Sequence, residues 1–138
     1  MKKLKVLLAE DDPDDQQLFS VFLNDRNDIQ LMQFAENGVE LMNILNSENA
    51  ELPDMIILDQ NMPKMNGLQT VKALKANEHL KNIPVMFYST FADRQLTDTC
   101  KQFGAEAVLS KPVTKEGYSK MMDSFIAAAL PFLRSRNI

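Results

Sequence analysis

Four apolar residues, Met55-Ile-Ile-Leu58, stand between Asp54 and Asp59 with nothing polar among them. The run is too short for a helix and fits a strand buried on both faces. Such a strand needs cover on two sides, and helices that cross between parallel strands supply it. Pro63 and Gly67 turn the chain after Asp59. A helical spacing then begins at Leu68 and continues through Val71 and Leu74.

The same alternation runs through the chain. Residues 4–9 read as a buried strand, followed by a helix over 13–25 with Leu18, Phe19, Phe22 and Leu23 on one face. Asp12-Pro13 opens that helix, with Asp as N-cap and Pro at the first helical position. Residues 29–34 form a weaker second strand, interrupted by Gln30 and Gln33. Asn37-Gly38 starts a helix carrying Val39, Leu41, Met42, Ile44 and Leu45. Residues 84–88 form the fourth strand. The helix after it carries Ala92, Leu96, Cys100 and Phe103, with Gly104 as its stop. A short fifth strand over 106–109 precedes a last helix over 114–129 with Tyr118, Met121, Met122, Phe125 and Ile126. Pro131 is expected to end that helix.

Five strands alternating with five helices imply right-handed crossovers and a parallel α/β sheet. The expected architecture is the flavodoxin-like doubly wound (βα)5 fold with strand order 2-1-3-4-5. At 138 residues the chain fits one domain, expected over 1–130, with a short tail over 131–138 that holds Arg134 and Arg136. The net charge of -4 gives no general basic surface for nucleic acid or anionic lipid. No apolar run reaches membrane-spanning length. The single cysteine, Cys100, fits a reducing cytoplasm and, on its apolar stripe, reads as a core residue. The single histidine, His79, sits in a polar loop and reads as a surface residue, so a zinc site or a His-dependent triad is not expected.

In the 2-1-3-4-5 order, strands one and three are neighbours. Glu10, Asp11 and Asp12 then lie beside Asp59 at the carboxyl edge of the sheet, where open α/β sheets bind their ligands. Ser89 and Thr90 end the fourth strand, and Ser110-Lys111-Pro112 ends the fifth. Clustered acids repel unless a cation joins them. Oxygen ligands with no sulfur or imidazole suit Mg²⁺. Metal, lysine and hydroxyl around one carboxylate make a phosphoryl-transfer site with aspartate as nucleophile. Taken singly, each piece has a plainer reading: Asp59 as a strand cap, Asp11 and Asp12 as helix-start acids, Ser89-Thr90 as a turn, Lys111 as a solvated loop residue. Their joint occurrence in this order favours the site.

The motifs Leu-Leu-Ala-Glu10-Asp11-Asp12-Pro13, Ile-Leu-Asp59-Gln-Asn61-Met-Pro63 through Gly67, Pro84-Val-Met-Phe-Tyr-Ser89, and Gly104-Ala with Lys111-Pro112 resemble those of response-regulator receiver domains of two-component signalling. The resemblance covers nearly the whole chain and implies roles by position. Asp59 would accept the phosphoryl group from a sensor histidine kinase. Glu10 and Asp11 would hold Mg²⁺, Asp11 directly, with Asp59 and the backbone carbonyl of Asn61 completing the set. Asp12 is one place along and is better read as the helix N-cap. Ser89 would be the switch hydroxyl and Lys111 the phosphate-binding lysine, aimed inward by a cis Lys111-Pro112 bond.

Two positions depart from the family. Val108 stands where an aromatic switch is usual, three residues before the lysine, and cannot swing a ring. Thr90 replaces a small residue and is expected to crowd the phosphoryl group and modulate its loss. Tyr88 is next to Ser89, but strand alternation directs it to the opposite face.

The resemblance implies a stand-alone receiver in the cytoplasm that signals by protein contact. Its output protein would meet it on the face of the fourth helix, fifth strand and fifth helix, and a histidine phosphotransfer protein is a further expected partner. A homodimer through Leu130, Phe132 and Leu133 is an alternative to those residues packing back on the domain, which is favoured. A Mg²⁺-dependent phosphatase is a competing reading. Such enzymes usually carry a second acid two residues after the nucleophile, and Asn61 stands there instead, so a turnover enzyme is not expected. A module that is never phosphorylated has no need of Asp59, Lys111 and the acidic pair together.

Overall fold

The computed structural model describes residues 3–136. Five parallel strands lie in the order β2-β1-β3-β4-β5: β1 Leu4–Ala9, β2 Ile29–Leu31, β3 Met55–Leu58, β4 Val85–Ser89 and β5 Ala107–Ser110. Between and after them run α1 Pro13–Phe22, α2 Gly38–Asn46, α3 Gly67–Ala76, α4 Arg94–Gln102 and α5 Lys115–Arg136. This is the expected flavodoxin-like (βα)5 order. Among the described residues no helix is long and apolar enough to cross a membrane.

Strand periodicity sorts the core into two layers. Leu7, Ala9, Ile56, Leu58, Val85 and Phe87 pack on one face with Leu41, Leu45, Val71, Leu74 and Cys100 from α2, α3 and α4. Val6, Leu8, Met55, Ile57, Met86 and Tyr88 pack on the other with Phe19, Tyr118, Met122 and Phe125 from α1 and α5. Alternate residues of a strand point to opposite faces, which is why an unbroken apolar run was the right signature. Cys100 is buried in the first layer, and burial pushes its thiol up to about 11, in keeping with a core role. His79 is exposed.

Caps fix the helix starts. Asp12 accepts from the Asp14 N–H, Asn37 from the Glu40 N–H and Asp93 from the Leu96 N–H. Asn66 and Gln69 form a reciprocal capping box at α3. Gly104, at φ 112°, lies in the left-handed region after α4.

The structure corrects three expectations. The second strand ends at Leu31, since Gln30 and Gln33 are exposed and the chain peels away after Leu31. Beyond it the sheet keeps only the Met32 N–H to Val6 O bond and the bridge at Ala35. The last helix does not stop at Pro131 but continues to Arg136. A proline inside a helix removes one backbone hydrogen bond, whereas the buried stripe Tyr118, Met122, Phe125, Ala129 and Leu133 carries on past it. The tail expected over 131–138 is therefore helical as far as it is described, with 137–138 outside the described residues. Third, no cis peptide bond occurs among the described residues, so Lys111-Pro112 is trans. The lysine reaches inward without it.

Candidate functional site

β1, β3, β4 and β5 deliver the site residues to one edge of the sheet. Ala9 pairs with Leu58, so Glu10 and Asp59 leave their strands side by side. The Asp59 N–H donates to Ala9 O at 3.2 Å, and the Lys111 N–H to Ser89 O at 2.9 Å. The backbone itself thus ties the acid pair together on one side and the hydroxyl to the lysine on the other.

Gly67 permits this approach. A Cβ there would lie 2.6 Å from Asp59 O and 2.6 Å from Phe87 Cε2. The glycine is needed for space, because α3 starts directly against the strand end that bears Asp59.

Glu10, Asp59 and Ser89 are all buried, at 0%, 3% and 1% exposure. Asp11 is exposed but keeps company with them, since carboxylate oxygens of Glu10, Asp11 and Asp59 all lie within 4.8 Å of one another. An oxygen-only donor set with this spacing fits a hard divalent cation. The Asp12 side chain caps α1, as expected. Asn61 donates its N–H to Asp59 Oδ1 at 3.4 Å. Thr90 is exposed at the rim, and Val108 is buried against the α2–α4 layer.

Lys111 Nζ is the positive centre. It contacts Asp15 Oδ2 at 2.8 Å, Glu10 Oε1 at 2.9 Å and Asp59 Oδ2 at 3.2 Å. Burial alone would lower its pKa, but hydrogen bonds to Asp15 and Glu10 outweigh that and raise it. Lys111 is therefore a fixed cation. Burial raises the pKa of Asp59 despite the opposing Lys111 charge. It also raises that of Glu10, against hydrogen bonds from Tyr88 and Lys111.

Two participants escape a reading of the sequence. Tyr88 does point to the α1/α5 face, as alternation requires, but its long side chain reaches the strand edge. There its hydroxyl donates to Glu10 Oε1 at 2.6 Å. Lys111 Nζ also lies 5.1 Å from the Tyr88 ring centroid. Asp15 belongs to the first turn of α1 and meets Lys111 across 96 positions of sequence. The only signal for Asp15 was an acid one helical step beyond the Asp12-Pro13 start, which the helix dipole explains equally well.

The family model described as "Response regulator receiver domain" matches residues 6–123. The polar-differentiation response regulator DivK of Brucella anthropi is 30% identical over 95 residues, covering 69% of this chain and 75% of DivK. A protein-glutamate methylesterase/protein-glutamine glutaminase of Clostridium acetobutylicum is 34% identical over 129 residues. That match covers 91% of this chain but spans only 36% of the methylesterase. Among solved structures, the Mn²⁺-bound form of response regulator Rcp1 superposes with a TM-score of 0.75 at 27% identity, over 86% of this chain and 88% of Rcp1.

Proposed function

The chain belongs to the response-regulator receiver family and serves two-component phosphorelay signalling, and within that role we propose that Asp59 is its phosphoacceptor. The observation that carries this reading is the Asp59 carboxylate itself. It is buried at the sheet edge with one oxygen 3.2 Å from Lys111 Nζ and the other on the Asn61 N–H.

One Asp59 oxygen attacks the phosphorus of a phosphohistidine. The O–P bond forms as the N–P bond breaks, and that electron pair returns to the imidazole nitrogen of the donor. Lys111 offsets the charge of the phosphoryl oxygens, and the Ser89 hydroxyl donates to one of them. Glu10, Asp11, Asp59 and the Asn61 carbonyl would hold Mg²⁺, which neutralises phosphoryl charge when bound. Receiver domains bind a divalent metal at such a cluster, and the Rcp1 structure is of a Mn²⁺-bound form. Magnesium as the ion of this chain is part of the proposal.

The phosphoryl group adds about -1.5 to -2 charge and three acceptor oxygens. Two charge-assisted hydrogen bonds of roughly 1.5–3 kcal/mol each, from Lys111 and Ser89, approach the roughly 5.5 kcal/mol needed for a complete two-state switch. Output then passes by protein contact, which we assign to the α4, β5 and α5 face. Val108 carries no ring there. Thr90 stands at the rim, and Thr90→Ala is expected to change the phosphoryl lifetime. Histidine kinases or phosphotransfer proteins are the partners upstream, in the cytoplasm. Leu133 is buried on the domain, whereas Leu130 is 39% exposed and offers the surface through which a homodimer would form. Sedimentation of wild type and Leu130→Ser tests that contact.

The chemistry is tested by intact mass after incubation with Mg²⁺ and acetyl phosphate. One phosphate adduct is expected on the wild type, and none on Asp59→Asn or without Mg²⁺. Continuous phosphate release would instead favour a phosphatase. Asn61 speaks against that reading, because it supplies no second acid two residues after the nucleophile.

A further inference from the structure

Asp15 stands outside the three carboxylates that can share a cation, yet it makes the shortest contact to Lys111. The separations from Nζ are 2.8 Å to Asp15, 2.9 Å to Glu10 and 3.2 Å to Asp59. An ammonium has three donors and no acceptor, so these three carboxylates use its full capacity. Glu10 and Asp59 belong to the cation cluster and Asp15 does not. A divalent ion on Glu10, Asp11 and Asp59 draws on lone pairs that Lys111 now uses, and it repels the ammonium as a like charge. The lysine side chain is only 11% exposed, so it cannot leave for water without uncovering its apolar stem. Asp15 is the partner it can keep, because it is held by the first turn of α1 and not by the sheet edge.

We propose that Asp15 is a positioning residue that retains Lys111 while a divalent cation displaces the lysine from Glu10 and Asp59. This rests on the reading of Glu10, Asp11 and Asp59 as a divalent-cation site. Without Asp15 the ammonium turns wholly to Glu10 and Asp59 and competes with the ion for them. The loss of negative charge works in the same direction, so the two contributions must be separated by a cycle through Lys111.

Mg²⁺ affinity is measured calorimetrically for wild type, Asp15→Asn, Lys111→Met and the double variant, each checked for native circular dichroism. Asp15→Ser serves as a second substitution if Asp15→Asn fails to fold. The expected result is that Asp15→Asn weakens Mg²⁺ binding about tenfold in the wild-type background and about twofold in Lys111→Met, a coupling within the range for groups in direct contact. Equal weakening in both backgrounds overturns the proposal, since Asp15 would then act only as a distant charge. No weakening in the wild-type background overturns it as well. If the wild type binds no Mg²⁺, the reading of the cation site fails first and takes this proposal with it.

Discussion

The Tyr88 hydroxyl donates a 2.6 Å hydrogen bond to Glu10 Oε1 and so joins the α1/α5 layer to the carboxylate cluster at the sheet edge. The ring behind that hydroxyl is held edge-on by Phe19, at 5.7 Å between centroids, and Phe19 in turn meets Tyr118 at 5.9 Å. A buried carboxylate is thus oriented by an aromatic that is itself locked in the core.

Tyr88→Phe removes one oxygen and keeps the ring. Glu10 then loses a buried donor but retains Lys111 and the Asp12 N–H. A loss of about 1–2 kcal/mol in urea unfolding is expected, at the low end for hydrogen bonds to charged groups. An unchanged unfolding midpoint would mean that the hydroxyl does not support Glu10.

Burial raises the carboxyl groups of Glu10 and Asp59 above their ordinary values of 4.5 and 3.8. The folded protein therefore holds protons that the unfolded chain has already released. The stabilising contribution of these two groups is full below the ordinary values and is lost as pH rises through the raised ones. In EDTA, this part of the stability should decline from about pH 4 upward, and Asp59→Asn should flatten the decline. Mg²⁺ binding should run the opposite way and weaken as pH falls through the same window, because protons and cation compete for the same oxygens. Urea titrations and calorimetry across that range check both signs.

Gly67→Ala forces a methyl group against Asp59 O and Phe87. Both neighbours are fixed in the strand layer, so a destabilisation of about 1–3 kcal/mol is expected, as for overpacking elsewhere. Acetyl phosphate labelling should fall as well, because the displaced atom belongs to Asp59, the proposed phosphoacceptor. Full labelling with lost stability would confine the role of Gly67 to packing.

Leu133→Ala tests the helix beyond Pro131. Leu133 is buried in the α1/α5 layer, and a loss of about 2 kcal/mol is expected for truncating a leucine near the edge of a core. Thermal melts of the variant read this directly. A wild-type melt would show that the last turn of α5 adds nothing to the fold.

The sequence was most legible where one physical requirement decided the residue. Met55–Leu58 had to be apolar throughout to survive between two helical layers, and it revealed β3. Asp12, Asn37 and Gly104 were readable because caps and stops are local. The motif residues Glu10, Asp11, Asp59, Ser89 and Lys111 sit together at one edge because strand order alone brings strand ends together. Asp15 and Tyr88 were not legible, since their roles depend on how far a side chain reaches across the fold. Pro131 misled for the reverse reason, as a local rule yielded to a buried stripe that continued to Leu133.

Glu10, Asp15, Asp59 and Lys111 follow or belong to β1, α1, β3 and β5, and the sheet must close before they meet. No peptide cut from this chain can carry the arrangement. A nascent or partly melted copy presents scattered acids and a solvated lysine instead. On the proposed reading of Asp59, the message is therefore written only on a finished molecule, and assembly of the sheet works as a quality check on the signal.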